Sequence, residues 1–388
     1  MSNTLKIEAF TNIEQLEKLR SVWNDFSYNT ETDLDFFVSV ITKRPEFLAP
    51  CILLARYHDK EAALLVGRFQ KSIIRPTLGY AKLPGLSIKQ IIFACHGSDN
   101  LTSAEISDEL INYIIGLLKS READACKLGN LMRTSALYAS ACRLPNIMMR
   151  DHAPKTLHRW RLQLPENYEA FLKLKSGDKR YKLKSYVRNF EKEFGPDIEY
   201  KLFTGVNEVD QFCTATEQIA STTYHRGLGV GFLNNGDTYR RISTAAAKGW
   251  LRARVLYVKN QPIAFWQGEL FKDVLYYIAT GYIPAFRKNR VGTVLLLKDI
   301  ESLCEQHVRV IDFGLGMAQY KEEICNEYLP EAEVNVYAPS YRGLCANLIN
   351  CSTNIANDKI NLWLKRIGLL DIIKSGWRRR KQSKLLIS

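Results

Sequence analysis

Apolar residues recur along the first part of the chain in two rhythms. Ile13, Leu16, Leu19, Val22, Trp23 and Phe26 return every three or four residues, which places them on one face of a helix. Asp33 to Ile41 continues as a shorter helix that stops before Pro45. The runs CILLARY, AALLVGRF, RPTLGYA and IIFACH follow, short, apolar and separated by polar or Gly/Pro turns, and they read as strands. Helical spacing returns from Ser103 to Leu118, with Thr102 or Ser103 as N-cap. Two strands, ACKLGNL from Ala125 and HRWRLQL from His158 to Leu164, close this half.

Pro165 marks a seam. Beyond it Tyr168 to Phe194 is a long basic helical region, interrupted at Ser176-Gly177-Asp178 and ended by Gly195-Pro196. A strand from Asp197 to Phe203 and a helix from Val206 to Thr222 precede three strands, LRARVLYV, PIAFWQGEL and VLYYIAT, joined by tight turns. Gly292 to Gln306 is helical, Val308 to Phe313 a strand, Ala318 to Cys325 a short helix and Ala332 to Tyr337 a last strand. The second half repeats the element order of the first. The expectation is an α/β protein of two like domains, 1–165 and 166–340, with a tail of 341–388.

Composition narrows the class. With 46% hydrophobic and 24% charged residues, the chain of 388 residues has the balance of a water-soluble globular protein. No apolar run reaches membrane-spanning length and the N-terminal stretch lacks a signal peptide's apolar core, so a cytoplasmic location is expected. Nine cysteines without a CxxC pair read as buried reduced thiols, and the six histidines have no ligand spacing, so no metal is expected. P-loop, HExxH and GxSxG patterns are absent, and Gly227-Leu-Gly229-Val-Gly231 follows a helix rather than a buried strand, unlike a dinucleotide fingerprint.

The net charge of +13 is concentrated. Lys173, Lys175, Lys179, Arg180, Lys182, Lys184, Arg188 and Lys192 form one cluster and Arg378-Arg379-Arg380-Lys381 another. Each is either a solvated helix face or a surface for phosphates. In the tail, Ile360, Leu362, Trp363, Ile367, Leu370, Ile373 and Trp377 interleave with basic residues, so it either caps the second domain or docks on an anionic membrane.

One stretch carries more specific chemistry. The strand VLYYIAT leads through Gly281 and Pro284 into Arg287, Lys288, Asn289 and Arg290, and then into Val291-Gly292-Thr293 at a helix start. Unpaired amides and the positive end of the helix dipole, framed by basic side chains, suit a pyrophosphate.

This loop resembles the acyl-coenzyme A loop of the GNAT acyltransferases, Gln/Arg-x-x-Gly-x-Gly/Ala, with Arg290 at the first glycine position. Five ordered blocks extend the likeness: Tyr224 to Phe232, Gly249 to Tyr257, Pro262 to Gly268, Thr280 to Thr293 and Asp312 to Lys321. Together they resemble the GNAT-type acetyltransferases associated with cellulose and exopolysaccharide biosynthesis, related in fold to the Fem-type peptidyltransferases. The resemblance implies tandem GNAT-like domains, each a mixed, mostly antiparallel sheet flanked by helices, with a helical basic C-terminal tail. It implies acetyl-CoA or another acyl-CoA as co-substrate, held by Arg287, Lys288, Asn289, Arg290, Val291, Gly292 and Thr293, and a sugar, polysaccharide precursor or related small-molecule acceptor.

For the chemistry, Tyr320 is the candidate acid toward the departing thiolate, or else a packing tyrosine at a helix start; Lys321 is a candidate partner for a phosphate or carboxylate. His225, Glu269 and Asp312 are the candidate bases, against bland alternatives of a loop histidine, a solvated strand carboxylate and a capping aspartate. Ile283 stands where relatives carry an acidic residue, and Met317 and Gln319 also depart from their wording. Two other readings therefore stand beside the first: a Fem-like transferase using aminoacyl-tRNA, whose phosphates the basic helix would hold, and a catalytically weakened GNAT-fold binding protein.

Overall fold

The computed structural model describes residues 5–366 except 59, 79–80, 83, 97–102, 224–225 and 227–230. These fall into two compact units, 5–158 with 330–366, and 159–329.

In the first unit, β1 (Leu5–Phe10), β2 (Phe47–Tyr57), β3 (Lys60–Ile74), β6 (Leu86–Ala94), β7 (Ala125–Met132) and β14 (Glu327–Tyr337) lie side by side in that order. All neighbours are antiparallel except β6 and β7. The segment read as the strand RPTLGYA forms only β4 (Thr77–Leu78) and β5 (Ala81–Lys82), paired with each other. Helices α1 (Ile13–Leu16), α2 (Arg20–Phe26), α3 (Leu34–Phe36), α4 (Ala104–Lys119), α5 (Ala136–Arg143) and α12 (Tyr341–Arg366) belong to the same unit. The apolar stripe of α4, with Leu110, Ile111, Ile114 and Leu118, is buried in one cluster with Leu53, Leu65, Phe93 and Val334 of the strands.

The second unit has the order β8 (Lys155–Gln163), β13 (Val310–Leu315), β12 (Val274–Tyr282), β11 (Gln261–Phe271), β10 (Leu251–Val258) and β9 (Ile198–Phe203). Again only one pair of neighbours, β12 and β13, runs parallel. Positive φ at both Lys259 and Asn260 gives the β10–β11 hairpin the tight turn that matches strand twist. Of its helices, α6 (Tyr168–Lys173), α7 (Gly177–Phe194) and α10 (Val291–Glu305) pack on one side, in a core with Trp266 and Ile311. On the other side α8 (Val209–Ala220) and α9 (Gly236–Ala247) bury Phe212, Ile219 and Ile242 against Val255 and Phe265. A short helix, α11 (Gln319–Ile324), follows β13.

Both units are thus mixed, mostly antiparallel sheets flanked by helices, each crossing between its two parallel strands through one helix, α4 or α10. The sixth strand of each comes from elsewhere in the sequence: β14, the last strand among the described residues, completes the first unit, and β8, which precedes β9, completes the second. Three elements lay outside the sequence expectation. β1 alternates over only six residues with Lys6 and Glu8 among them, α5 is rich in small residues, and α9 buries only Ile242, Ala245 and Ala246. None carries the long apolar stripe on which sequence reading depends. Among the described residues no helix is long and apolar enough to cross a membrane. The tail is helical as α12 to Arg366, and its basic cluster at 378–381 lies outside the described residues.

Candidate active site

The site is built where β12 and β13 part. Three rungs pair them, Val274 with Val310, Leu275 with Ile311 and Tyr276 with Asp312. There the register ends, although β12 continues to Tyr282 and β13 to Leu315. One residue further along β12, the register against β11 slips: Gly268 faces Tyr277 and Gln267 faces Ala279. Ile278 is the extra residue of this bulge and has no cross-strand partner on β11.

β12 ends in a 3₁₀ turn, Pro284–Asn289, and α10 begins at Val291. Arg290 between them takes φ 56° and ψ 29°, the left-handed conformation that the glycine of the related loop supplies without cost. Its guanidinium lies 5.5 Å from the Tyr186 ring centroid on α7, and Asn289 Nδ2 donates to Glu193 Oε2 at 2.6 Å, so two contacts to α7 fix the turn. No side chain caps α10. The amides of Val291 and Gly292, too early in the helix for intrahelical partners, point out of its first turn. A Cβ on Gly292 would meet Tyr282 at 3.3 Å, so glycine keeps this approach open. Arg287, Lys288, Arg290 and the helix dipole together make the place electropositive.

The equivalent crossing in the first unit is closed. Five consecutive rungs join β6 to β7, from Gln90–Ala125 to Ala94–Gly129, and Cys95 N–H donates to Gly129 O at 3.1 Å beyond them. The start of α4 is capped by the Ser103 hydroxyl. Among the described residues there is therefore one diverging strand pair with an uncapped helix, and it is in the second unit.

Aromatic rings line the diverging strands on the α10 side. Tyr277 stacks on Trp266 at 5.6 Å and 8° and lies 5.1 Å from Phe313, which meets Tyr320 edge-on at 6.0 Å. Burial raises the Tyr277 hydroxyl well above its ordinary value, the neighbouring Tyr320 adds to this, and a hydrogen bond with Thr280 opposes it. Tyr277 was not singled out in the sequence, where it reads only as part of an aromatic strand.

The candidate carboxylates sit on the opposite side of the sheet, each held by an arginine. Glu269 is fully buried, with Oε1 and Oε2 accepting from Arg241 Nε and Nη2 at 2.6 and 2.8 Å. Asp312, 2% exposed, accepts from Arg159 Nη1 at 2.9 Å and from the Gly314 amide at 2.8 Å. Neither arginine was anticipated, because each is far from its partner in sequence. Gln267, on the same strand as Glu269, is 1% exposed and its Nε2 has no hydrogen-bond partner.

Lys321 is spoken for. Its ammonium is buried in the turn after β13, donating to the carbonyls of Phe313 at 2.7 Å and Leu315 at 2.8 Å, which positive φ at Gly314 and Gly316 brings around it. Desolvation lowers its pKa. It closes a turn rather than facing a phosphate. His225 lies outside the described residues. Among the described residues, no group of His, Cys, Asp and Glu side chains could hold a metal ion.

Solved structures share the fold. FemX superposes with a TM-score of 0.55 at 10% identity, covering 85% of this chain and 96% of its own. A conserved protein of unknown function from Bacteroides thetaiotaomicron gives a TM-score of 0.50 at 10% identity, over 86% of this chain and all of its own. No curated protein sequence matches the chain. The stretch that holds the diverging strands, the bulge and the uncapped helix, residues 177–322, matches the family model described as an acetyltransferase (GNAT) domain.

Proposed function

We propose that the second unit is an acyltransferase that takes an acyl group, in the simplest case acetyl, from acyl-CoA and passes it to an amine or hydroxyl of a sugar or polysaccharide precursor. The domain match supports acyl transfer; the observation that carries the donor is the conjunction of three features in one place. Strands part after Tyr276–Asp312, a bulge leaves Ile278 without a rung on β11 beside the parting, and α10 starts without a side-chain cap within a basic turn. The first suits an extended pantetheine arm, the last a diphosphate.

In this reading the acceptor's nitrogen or oxygen adds to the thioester carbonyl while a base takes its proton. The Ile278 amide donates to the developing oxyanion. As the carbon–sulfur bond breaks, the thiolate is protonated by a tyrosine hydroxyl, from Tyr320 or its neighbour Tyr277. His225 is the base this reading favours, since Glu269 and Asp312 are engaged by Arg241 and Arg159.

Calorimetric titration with acetyl-CoA tests the donor. The wild-type chain binds, and Arg287→Ala with Arg290→Ala weakens binding by roughly tenfold or more, the loss of charge-assisted phosphate contacts. Unchanged affinity in that variant, or no binding by the wild type, removes the proposal.

A second reading has one observation in its favour. The likeness to FemX, together with Lys173, Lys182, Lys184, Arg188 and Lys192 exposed along α6 and α7, suits a transferase whose donor is aminoacyl-tRNA. Salt-sensitive tRNA binding without acetyl-CoA binding favours it. Absence of both favours a binding protein on the same fold.

A further inference from the structure

The C-terminal helix of the first unit, α12, leaves large apolar side chains in water. Inward, Ala346 and Ile349 pack against Ile74, Ile88 and Tyr337, while Asn347 Nδ2 donates to the carbonyls of Met148 and Arg150 at 3.0 Å, Asn350 donates to the Tyr337 hydroxyl at 2.9 Å, and Asn354 to Ala153 O at 3.0 Å. Outward, exposed Ser352 and Lys359 stand among apolar residues. Tyr341, Leu348 and Ile355, spaced by seven residues on one face, are 83%, 71% and 46% exposed, and Trp363 continues them at 61%. Beside the helix Ile147 and Met148 are 74% and 52% exposed. Large apolar side chains left exposed along a helix that already packs through its other face are not needed for that packing and call for a partner.

Charge selects that partner. From Lys365 to the end the sequence holds Lys365, Arg366, Lys374, Arg378, Arg379, Arg380, Lys381 and Lys384 against the single acid Asp371. A second copy seated on the stripe would bring two such basic segments together, and a nucleic acid would leave Leu348, Ile355 and Trp363 in water. An anionic lipid surface satisfies both halves: acyl chains take the apolar residues and headgroups the cations. We infer that α12, through Tyr341, Leu348, Ile355 and Trp363 and the basic sequence that follows, docks the protein on an anionic membrane surface. This does not depend on which acyl donor the second unit uses.

The test is cosedimentation of the full chain with phosphatidylcholine vesicles, with and without about 30 mol% phosphatidylglycerol. The wild type partitions onto anionic vesicles roughly tenfold more strongly than onto neutral ones, and rising salt reduces this. Leu348→Ser with Ile355→Ser, and separately Trp363→Gln, each lower partitioning severalfold while far-UV circular dichroism is unchanged; Arg378→Ala with Arg379→Ala and Arg380→Ala does the same. Equal partitioning onto neutral vesicles, or full binding by both the serine and the Trp363→Gln variants, overturns the inference. So does self-association without lipid that the serine variant abolishes, which assigns the stripe to a second copy. A lower melting temperature of the serine variant with lipid binding intact also overturns it, and assigns the stripe to the chain's own 367–388.

Discussion

Tyr276 and Asp312 form the last rung between the two parallel strands of the second unit, and Arg159 holds Asp312 in place. Below that rung the strands are zipped; above it they separate toward the Ile278 bulge and the start of α10. Among the described residues the first unit shows no such end point, because its rungs continue to Ala94–Gly129 and a further bond from Cys95 follows. Titration with acetyl-CoA is therefore expected to saturate at one equivalent per chain. A value of two would mean that the first unit opens in solution.

Arg290 offers a direct measure of what a left-handed residue costs in this loop. Glycine adopts φ 56° freely, whereas any Cβ adds about 1 kcal/mol. The Arg290→Gly variant is expected to be more stable than Arg290→Ala by about that amount in urea unfolding. Against the wild type it comes out nearly level, because loss of the contact to Tyr186 offsets the relief by about 0.5–1 kcal/mol.

Glu269 separates a structural carboxylate from a catalytic one. Its ion pair with Arg241 is shielded from water, so Glu269→Gln leaves a guanidinium without its counter-charge and is expected to cost about 3 kcal/mol. Replacing both partners, Arg241→Met with Glu269→Leu, recovers most of that. An inactive Glu269→Gln variant with unchanged unfolding would restore Glu269 as a base.

The strand–loop–helix from Val274 to Thr293 was legible because its period changes from two to near four across a short basic turn, and periodicity is what a sequence displays most openly. The second unit's three strands LRARVLYV, PIAFWQGEL and VLYYIAT appear within two residues of their expected ends for the same reason. The bulge at Ile278 was not legible: it is a slip of register between two strands, and neither strand's pattern records it. Arg159 and Arg241 were invisible because a buried ion pair joins residues 153 and 28 positions apart. Lys321 was misread because a lysine beside a glycine-rich turn looks like a ligand for anions, until the carbonyls of Phe313 and Leu315 are seen around it.

That burial of Lys321 makes a pH prediction. Its folded pKa lies below the ordinary 10.5, so between the two values the unfolded chain binds more protons than the folded one. Stability contributed through this group therefore rises with pH across that window and falls as pH drops through it. Urea midpoints measured up to pH ~10.5 should show a smaller rise for Lys321→Met than for the wild type. The variant is also weaker throughout, by about 1–3 kcal/mol, for the carbonyls left unpaired.

The buried thiols should be chemically silent. Desolvation pushes Cys51 and Cys95 up to about 12 and Cys126 well above its ordinary value, so almost no thiolate exists at neutral pH. A thiol reagent at pH ~8 is expected to leave these three unmodified in the folded protein and to label all nine cysteines in denaturant. Rapid labelling of Cys126 without denaturant would show that the first unit's core opens readily.

The traded sixth strands bear on how the protein is made. A ribosome releases residues in order, yet the first unit has to wait for β14 before its sheet has a finished edge, and by then the whole of the second unit has been synthesised. The part begun first is completed last. A single cut near Pro165 cannot yield two whole halves, whereas a fragment starting before β8 and stopping after α11 would retain every strand the second unit uses.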